Sequence, residues 1–122
     1  MATTVKTNVG TVQMIAKINS ALTTPYIGWG TGAGTAGVTD TTLFTETTAE
    51  RTSSTQTIVT TTLTGDTLQN LATLTSVSGE TITNAGLFDA SSGGNLWVKG
   101  SFTSVVLNSG DSMAFTINIQ QE

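Results

Sequence analysis

The chain has 122 residues, 37% of them hydrophobic, with no Cys, no His, 4 basic and 8 acidic side chains, and a formal net charge of −4. That inventory excludes disulfides, thiolate metal sites and imidazole chemistry, and the scattered cations Lys6, Lys17, Arg51 and Lys99 argue against direct nucleic-acid binding. The length fits one domain, and a hydrophobic content this high with a single Pro separates the chain from disordered sequences.

In chain order, residues 8–22 place Val12, Ile15, Ala16, Asn19 and Leu22 at helical spacing with Pro25 just beyond. Gly10 and the β-branched residues oppose a helix, so helix and strand stand level here. Residues 1–24 are read as an N-terminal arm or short helix, and 25–122 as the β domain. Tyr26, Ile27, Gly28 and Trp29 form a short strand entering a Gly- and Thr-rich loop over 30–40. Residues 56–63 and 67–77 read as two strands joined by a two-residue turn at Gly65-Asp66, since Gly supplies the positive φ that such turns need. Residues 81–88 make the next strand, 89–95 a hairpin loop, and 96–107 a long strand with a bulge or bend at Gly100. After a turn at 108–111, Met113, Phe115, Ile117 and Ile119 alternate with Ser112, Ala114, Thr116 and Asn118, the mark of a half-buried strand. These elements predict a mainly β chain: an antiparallel, jelly-roll-like β-sandwich with a short N-terminal helix as the open element.

Chemistry-bearing motifs are sparse. Gly32, Gly34 and Gly37 spell a G-x-G-x-x-G, but no helix pattern follows and no acidic residue stands about 20 positions on, so a loop is the better reading. Glu46, Glu50 and Arg51 cluster; paired carboxylates do acid–base work only at a defined separation, and an Arg–carboxylate contact that pins a loop or crosses an interface is favoured. Asp89, Ser91, Ser92 and Asn95 fit a hairpin loop better than a calcium site, because they carry one formal carboxylate. No metal and no cofactor is expected. Thr makes up 28 residues, and Thr60, Thr62 and Thr64, Thr73 and Thr75, and Thr81 and Thr83 fall at alternate positions that share a strand face. Ordinary β propensity explains them better than an ice-binding array, which would need a repeat. Trp29 and Trp97 adjoin small residues, and an exposed aromatic there could stack on sugars or anchor a protein. No apolar run reaches the roughly 18 residues of a membrane span, and the first residues lack the apolar stretch of a secretory leader, so synthesis in a cytoplasm without a membrane partner is expected. A surface this poor in charge is suited to burial against copies of itself or a partner.

The ordered set Tyr26-Ile-Gly-Trp-Gly-Thr-Gly, Thr42-Leu-Phe-Thr-Glu46 with Arg51, Asn84-Ala-Gly-Leu-Phe-Asp-Ala-Ser-Ser-Gly-Gly-Asn-Leu96, Phe102 and Gly110-Asp-Ser resembles small virion proteins of tailed bacteriophages over roughly residues 8–120. Asn84 departs from the resemblance, where an acidic residue is common. The resemblance implies a non-enzymatic structural protein located in the virion, with no catalytic residues. It would be a capsid decoration (cement) protein bridging the major capsid protein, or a tail-associated or carbohydrate-binding host-recognition module. A homo-oligomer, with a trimer favoured, suits a local three-fold axis. The contact candidates are Tyr26, Trp29, Glu46, Arg51 and Trp97.

Overall fold

The computed structural model describes residues 5–120. The outer ends of the expected arm (1–24) and β domain (25–122) lie outside the described residues. Asn8–Ala21 forms helix α1, so the level reading of that segment resolves to helix. Thr7 caps it: its hydroxyl accepts the Gly10 N–H at 3.0 Å, satisfying one of the amides that a helix start leaves unpaired. Thr11 and Ile15 are buried along the helix, and Leu22 is buried just after it.

The strands are β1 (Tyr26–Gly30), β2 (Thr52–Ser53), β3 (Thr55–Val59), β4 (Thr67–Thr75), β5 (Glu80–Phe88), β6 (Leu96–Leu107) and β7 (Ser112–Gln120). They build two antiparallel sheets of order β2-β1-β5-β6 and β3-β4-β7, a sandwich-like arrangement. β2 and β3 are nearly one strand that passes between sheets at Ser54. That residue's N–H donates to Pro25 O (3.0 Å), and its hydroxyl donates to Asn70 Oδ1 (2.8 Å). Helix α1 packs on β3 and β4, where Gln56 Nε2 donates to Asn19 Oδ1 (3.1 Å) and Leu22 O (2.9 Å).

Two local expectations are corrected. The strand expected over 56–63 ends at Val59, and the turn is not the two-residue Gly65-Asp66. Buried Asp66 gathers the N–H groups of Thr61, Thr62 and Leu63 at 2.9–3.0 Å, which curls residues 60–66 into a wider loop. Thr60, Thr62 and Thr64 therefore lie in that loop rather than along one strand face. Gly65 does take the positive φ (78°) foreseen for it. On β6, Gly100 pairs regularly with Ala85. The register instead slips at Trp97, the extra residue between Val98 and Leu96, and again between Ser101 and Val105.

Leu22, Ile27, Trp29, Leu74, Ile82, Ala85, Leu87 and Leu107 form the core between the sheets. Each large side chain among them contributes about 1.5–3 kcal/mol of burial. Val98, Phe102 and Val105 of β6, with Met113, Phe115, Ile117 and Ile119 of β7, pack against that core yet stay half-buried. Both strands are the last in their sheets, so this apolar seam lies at an open side of the sandwich.

The outer face of the first sheet explains the glycines. Gly28 pairs with Gly86 and Gly30 with Asn84, leaving a bare channel that the segment Leu43–Glu46 fills as a strap. A Cβ on Gly30 would collide with the Phe44 carbonyl oxygen, and one on Gly86 would sit 2.7 Å from Val98 O. The Asn84 amide holds the strap from both sides, accepting the Phe44 N–H (3.0 Å) and donating to Phe44 O (3.2 Å). An ionised carboxylate at that position could accept but not donate. At one pole of the molecule, Val5, Lys6, Asn8 and Thr11 share a surface cleft with Thr62, Leu63, Asp66 and Gln120, so the two ends of the described chain lie together.

Candidate functional site

Arg51 follows a short 3-10 turn (Thr48–Glu50) at the end of the strap. Its guanidinium forks onto Glu46 (2.6 and 2.9 Å) and donates to Ala90 O and Gly93 O (both 2.9 Å). It lies 3.4 Å above the centre of the Phe88 ring. With its side chain 4% exposed, Arg51 pins the strap to the β5–β6 hairpin. The Arg–carboxylate pair thus exists, but it is spent inside the fold. Glu46 and Arg51 offer little to a partner.

Trp29 is fully buried, so it is corrected from contact candidate to core residue. The apolar environment demands a partner for its indole N–H, and Glu50 Oε1 accepts it at 2.7 Å. The second oxygen, Oε2, accepts the Val77 N–H at 2.7 Å. Glu80 stands beside this carboxylate, with Thr47 Oγ1 donating to its Oε2 (3.1 Å) while its Oε1 is buried without a conventional acceptor bond. Burial, followed by the bond to Glu50, pushes the Glu80 carboxyl upward. Burial also acts to raise Glu50, but hydrogen bonds from Glu80, Val77 and Trp29 outweigh it and hold that carboxyl low. Of the two carboxyls, Glu80 is thus pushed toward its protonated form and Glu50 toward its ionised form. Glu46 and Glu50 have separate partners, which leaves no acid–base pair of the kind the sequence raised.

Trp97 has a different environment: it is 41% exposed and sits at the β6 bulge. Asp89 closes the β5–β6 hairpin by accepting Asn95 N–H (2.8 Å) and Asn95 Nδ2 (2.9 Å), and it also accepts the Trp97 indole N–H (3.2 Å). These three donors, the Asn95 N–H foremost, hold the Asp89 carboxyl below its ordinary range. The hairpin reading of 89–95 therefore has its physical cause, with both Asp89 oxygens occupied.

Across from Trp97 runs the glycine-rich loop. It opens no helix; Gly32 N–H donates to Phe44 O (2.9 Å), and Thr83 Oγ1 donates to Gly32 O. Its far end is held by Asp40, whose Oδ2 accepts Gly37 N–H and Lys99 Nζ, both at 2.9 Å. Lys99, 5% exposed, also donates to Thr42 O (2.8 Å) and lies 3.3 Å above the Phe44 ring centre. The Lys99 bond, then the Gly37 bond, hold the Asp40 carboxyl low. Between the Ala36–Asp40 loop and the Leu96–Lys99 segment lies an open cleft of about 340 Å³. Sequence reading found Trp97 but missed Asp40 and Lys99, which are 59 residues apart and meet only through the fold. Tyr26 is half-buried at the start of β1, opposite Phe88 and Ser53.

The second sheet presents a contrasting surface. No charged residue occurs in β3, β4 or β7, and Thr55, Thr57, Thr73, Thr75 and Thr116 are exposed on it. Among the described residues, no group of three or more acidic side chains is placed to hold a metal ion. Among the same residues, no helix is long and apolar enough to cross a membrane.

Comparison with protein families matched residues 3–121 to a family model described as Podophage GP4 fiber I protein gp80. Comparison with curated proteins found no match.

Proposed function

The chain belongs to the Podophage GP4 fiber I protein gp80 family, and from that premise we propose that this phage virion structural protein is a non-enzymatic component of a fibre. The family match, spanning nearly the whole chain, carries this reading. The engaged state of Glu46, Glu50 and Arg51 supports the absence of catalysis. Decoration of the capsid surface against the major capsid protein is the other virion location, and it rests on the order of motifs alone.

The molecule assembles as a homo-oligomer, a trimer being favoured, through the apolar seam of β6 and β7. That seam exposes part of Phe102, Phe115 and Ile117 beside an uncharged sheet, so burying it desolvates no charge. Tyr26 and Trp97 remain the contact candidates.

Quantitative mass spectrometry of purified virions tests the location. A few copies per particle, in a simple ratio to other fibre chains, support the fibre. A ratio near one to the major capsid protein would replace it with capsid decoration, and absence from the particle would end the virion reading.

A further inference from the structure

We propose that the cleft between residues 36–40 and 96–99 is a binding site for a short neutral carbohydrate, with Trp97 as its stacking platform and Asp40 as its hydroxyl acceptor. This goes beyond the structural role and holds whether the chain sits in a fibre or on a capsid.

Four observations converge. First, the Trp97 ring is presented rather than merely exposed: the β6 bulge re-aims it, and Asp89 fixes it through the indole N–H at 3.2 Å. A ring held in advance loses little freedom on binding, and its face suits the C–H face of a sugar ring. Second, the Gly37 and Lys99 donors both fall on Oδ2 of Asp40, which leaves Oδ1 of a 25%-exposed carboxylate at the cleft wall to accept hydroxyl protons. Third, the one cation of the cleft, Lys99, is neutralised by Asp40 and seated on Phe44. An anionic ligand would meet a carboxylate without an available counter-charge, whereas a neutral polyol would not. Fourth, the volume of about 340 Å³ is that of a small-ligand site, and its lining is more polar than apolar, which suits a polyol better than an apolar ligand.

The test uses the purified full chain. Tryptophan emission would be titrated with maltohexaose, chitotetraose and rhamnose-containing O-antigen fragments, with sialyllactose as the charged comparison. Because Trp29 is fully buried, a ligand-induced change reports on Trp97. The expected result is a saturable change with at least one neutral saccharide, at least tenfold weaker with sialyllactose. Followed by amide shift titration, because both variants lose the reporting indole, Trp97→Ala should weaken binding at least tenfold, and Trp97→Phe, which keeps a stacking face, should fall between. Amide shift mapping on the unaltered chain guards against a variant that misfolds: shifts should concentrate at 36–40 and 96–99. No saturable change with any neutral saccharide, equal binding of the charged one, or shifts on another face overturns the site. Protection of Trp97 from acrylamide quenching in intact virions, with no saccharide response by the free chain, overturns it in favour of a contact between virion proteins.

Discussion

Arg51 makes four hydrogen bonds from one planar fork, to two oxygens of Glu46 and to two hairpin carbonyls, while covering Phe88. Its removal strands a largely buried carboxylate, so Arg51→Ala should lower unfolding free energy by about 3–5 kcal/mol in urea titration. Arg51→Lys should recover only part of that, because an ammonium cannot reproduce the fork. Glu80 makes a pH-dependent prediction. Its folded pKa is raised, so its contribution to stability is fully present below the unfolded value of about 4.3 and is lost as pH rises through the folded value. Glu50 is held low and works oppositely, losing its contribution as pH falls. Glu80→Gln keeps a neutral side chain that can donate to Glu50, so the gain in Tm over the unaltered chain should grow from pH 5 to pH 8, reaching roughly 2–5 °C. Scanning calorimetry across that range would show it, and an equal offset at every pH would contradict it. The Arg51–carboxylate contact was legible from the cluster itself, but the Glu50–Glu80 pair was not: Glu80 is 30 positions from Glu50 and carries no local signal.

At the scale of elements, the strands were readable because period-two alternation and turn residues are local. β6 agrees with its expected bounds, and β7 shows the foreseen alternation as half-buried against exposed. The helix was half-legible, since Thr7 as a cap and Leu22 as its buried end offset Gly10 and the β-branched residues. What local pattern could not show was the strap. Gly28 read as part of a short strand and Gly30 and Gly32 as loop punctuation, yet Gly28 and Gly30 are spaced to clear one face of β1 for a segment more than ten residues downstream. Gly30→Ala should therefore cost about 1–3 kcal/mol from overpacking against the Phe44 backbone. Gly37→Ala, with open space around the same added methyl, should change stability little. Urea unfolding of both variants separates the close-packing account from a general preference for glycine in loops.

Considered whole, the molecule gathers its two ion pairs around the first sheet and leaves the strands of the second sheet uncharged. Low overall charge pointed to an association surface, but only the fold places the half-buried seam at the two outer strands. A single charge there should break the proposed assembly, so Ile117→Lys should convert the proposed oligomer to monomer in light scattering after size exclusion. An unchanged mass with a folded spectrum would move the contact elsewhere. The site was partly visible in the same way: Trp97 stood out by composition, whereas its opposing wall needed the loop folded back on β6. The neighbouring ends have a mechanical consequence. β7 is antiparallel to β4 with Gln120 opposite Thr67, and Val5 and Gln120 line one cleft. Tension applied at both ends would load the Thr67–Gln120 bonds first and peel β7 away pair by pair, like a zipper rather than a lap joint. The domain would thus yield at low force when pulled by its ends, and is better suited to hang beside a line of tension than to transmit it.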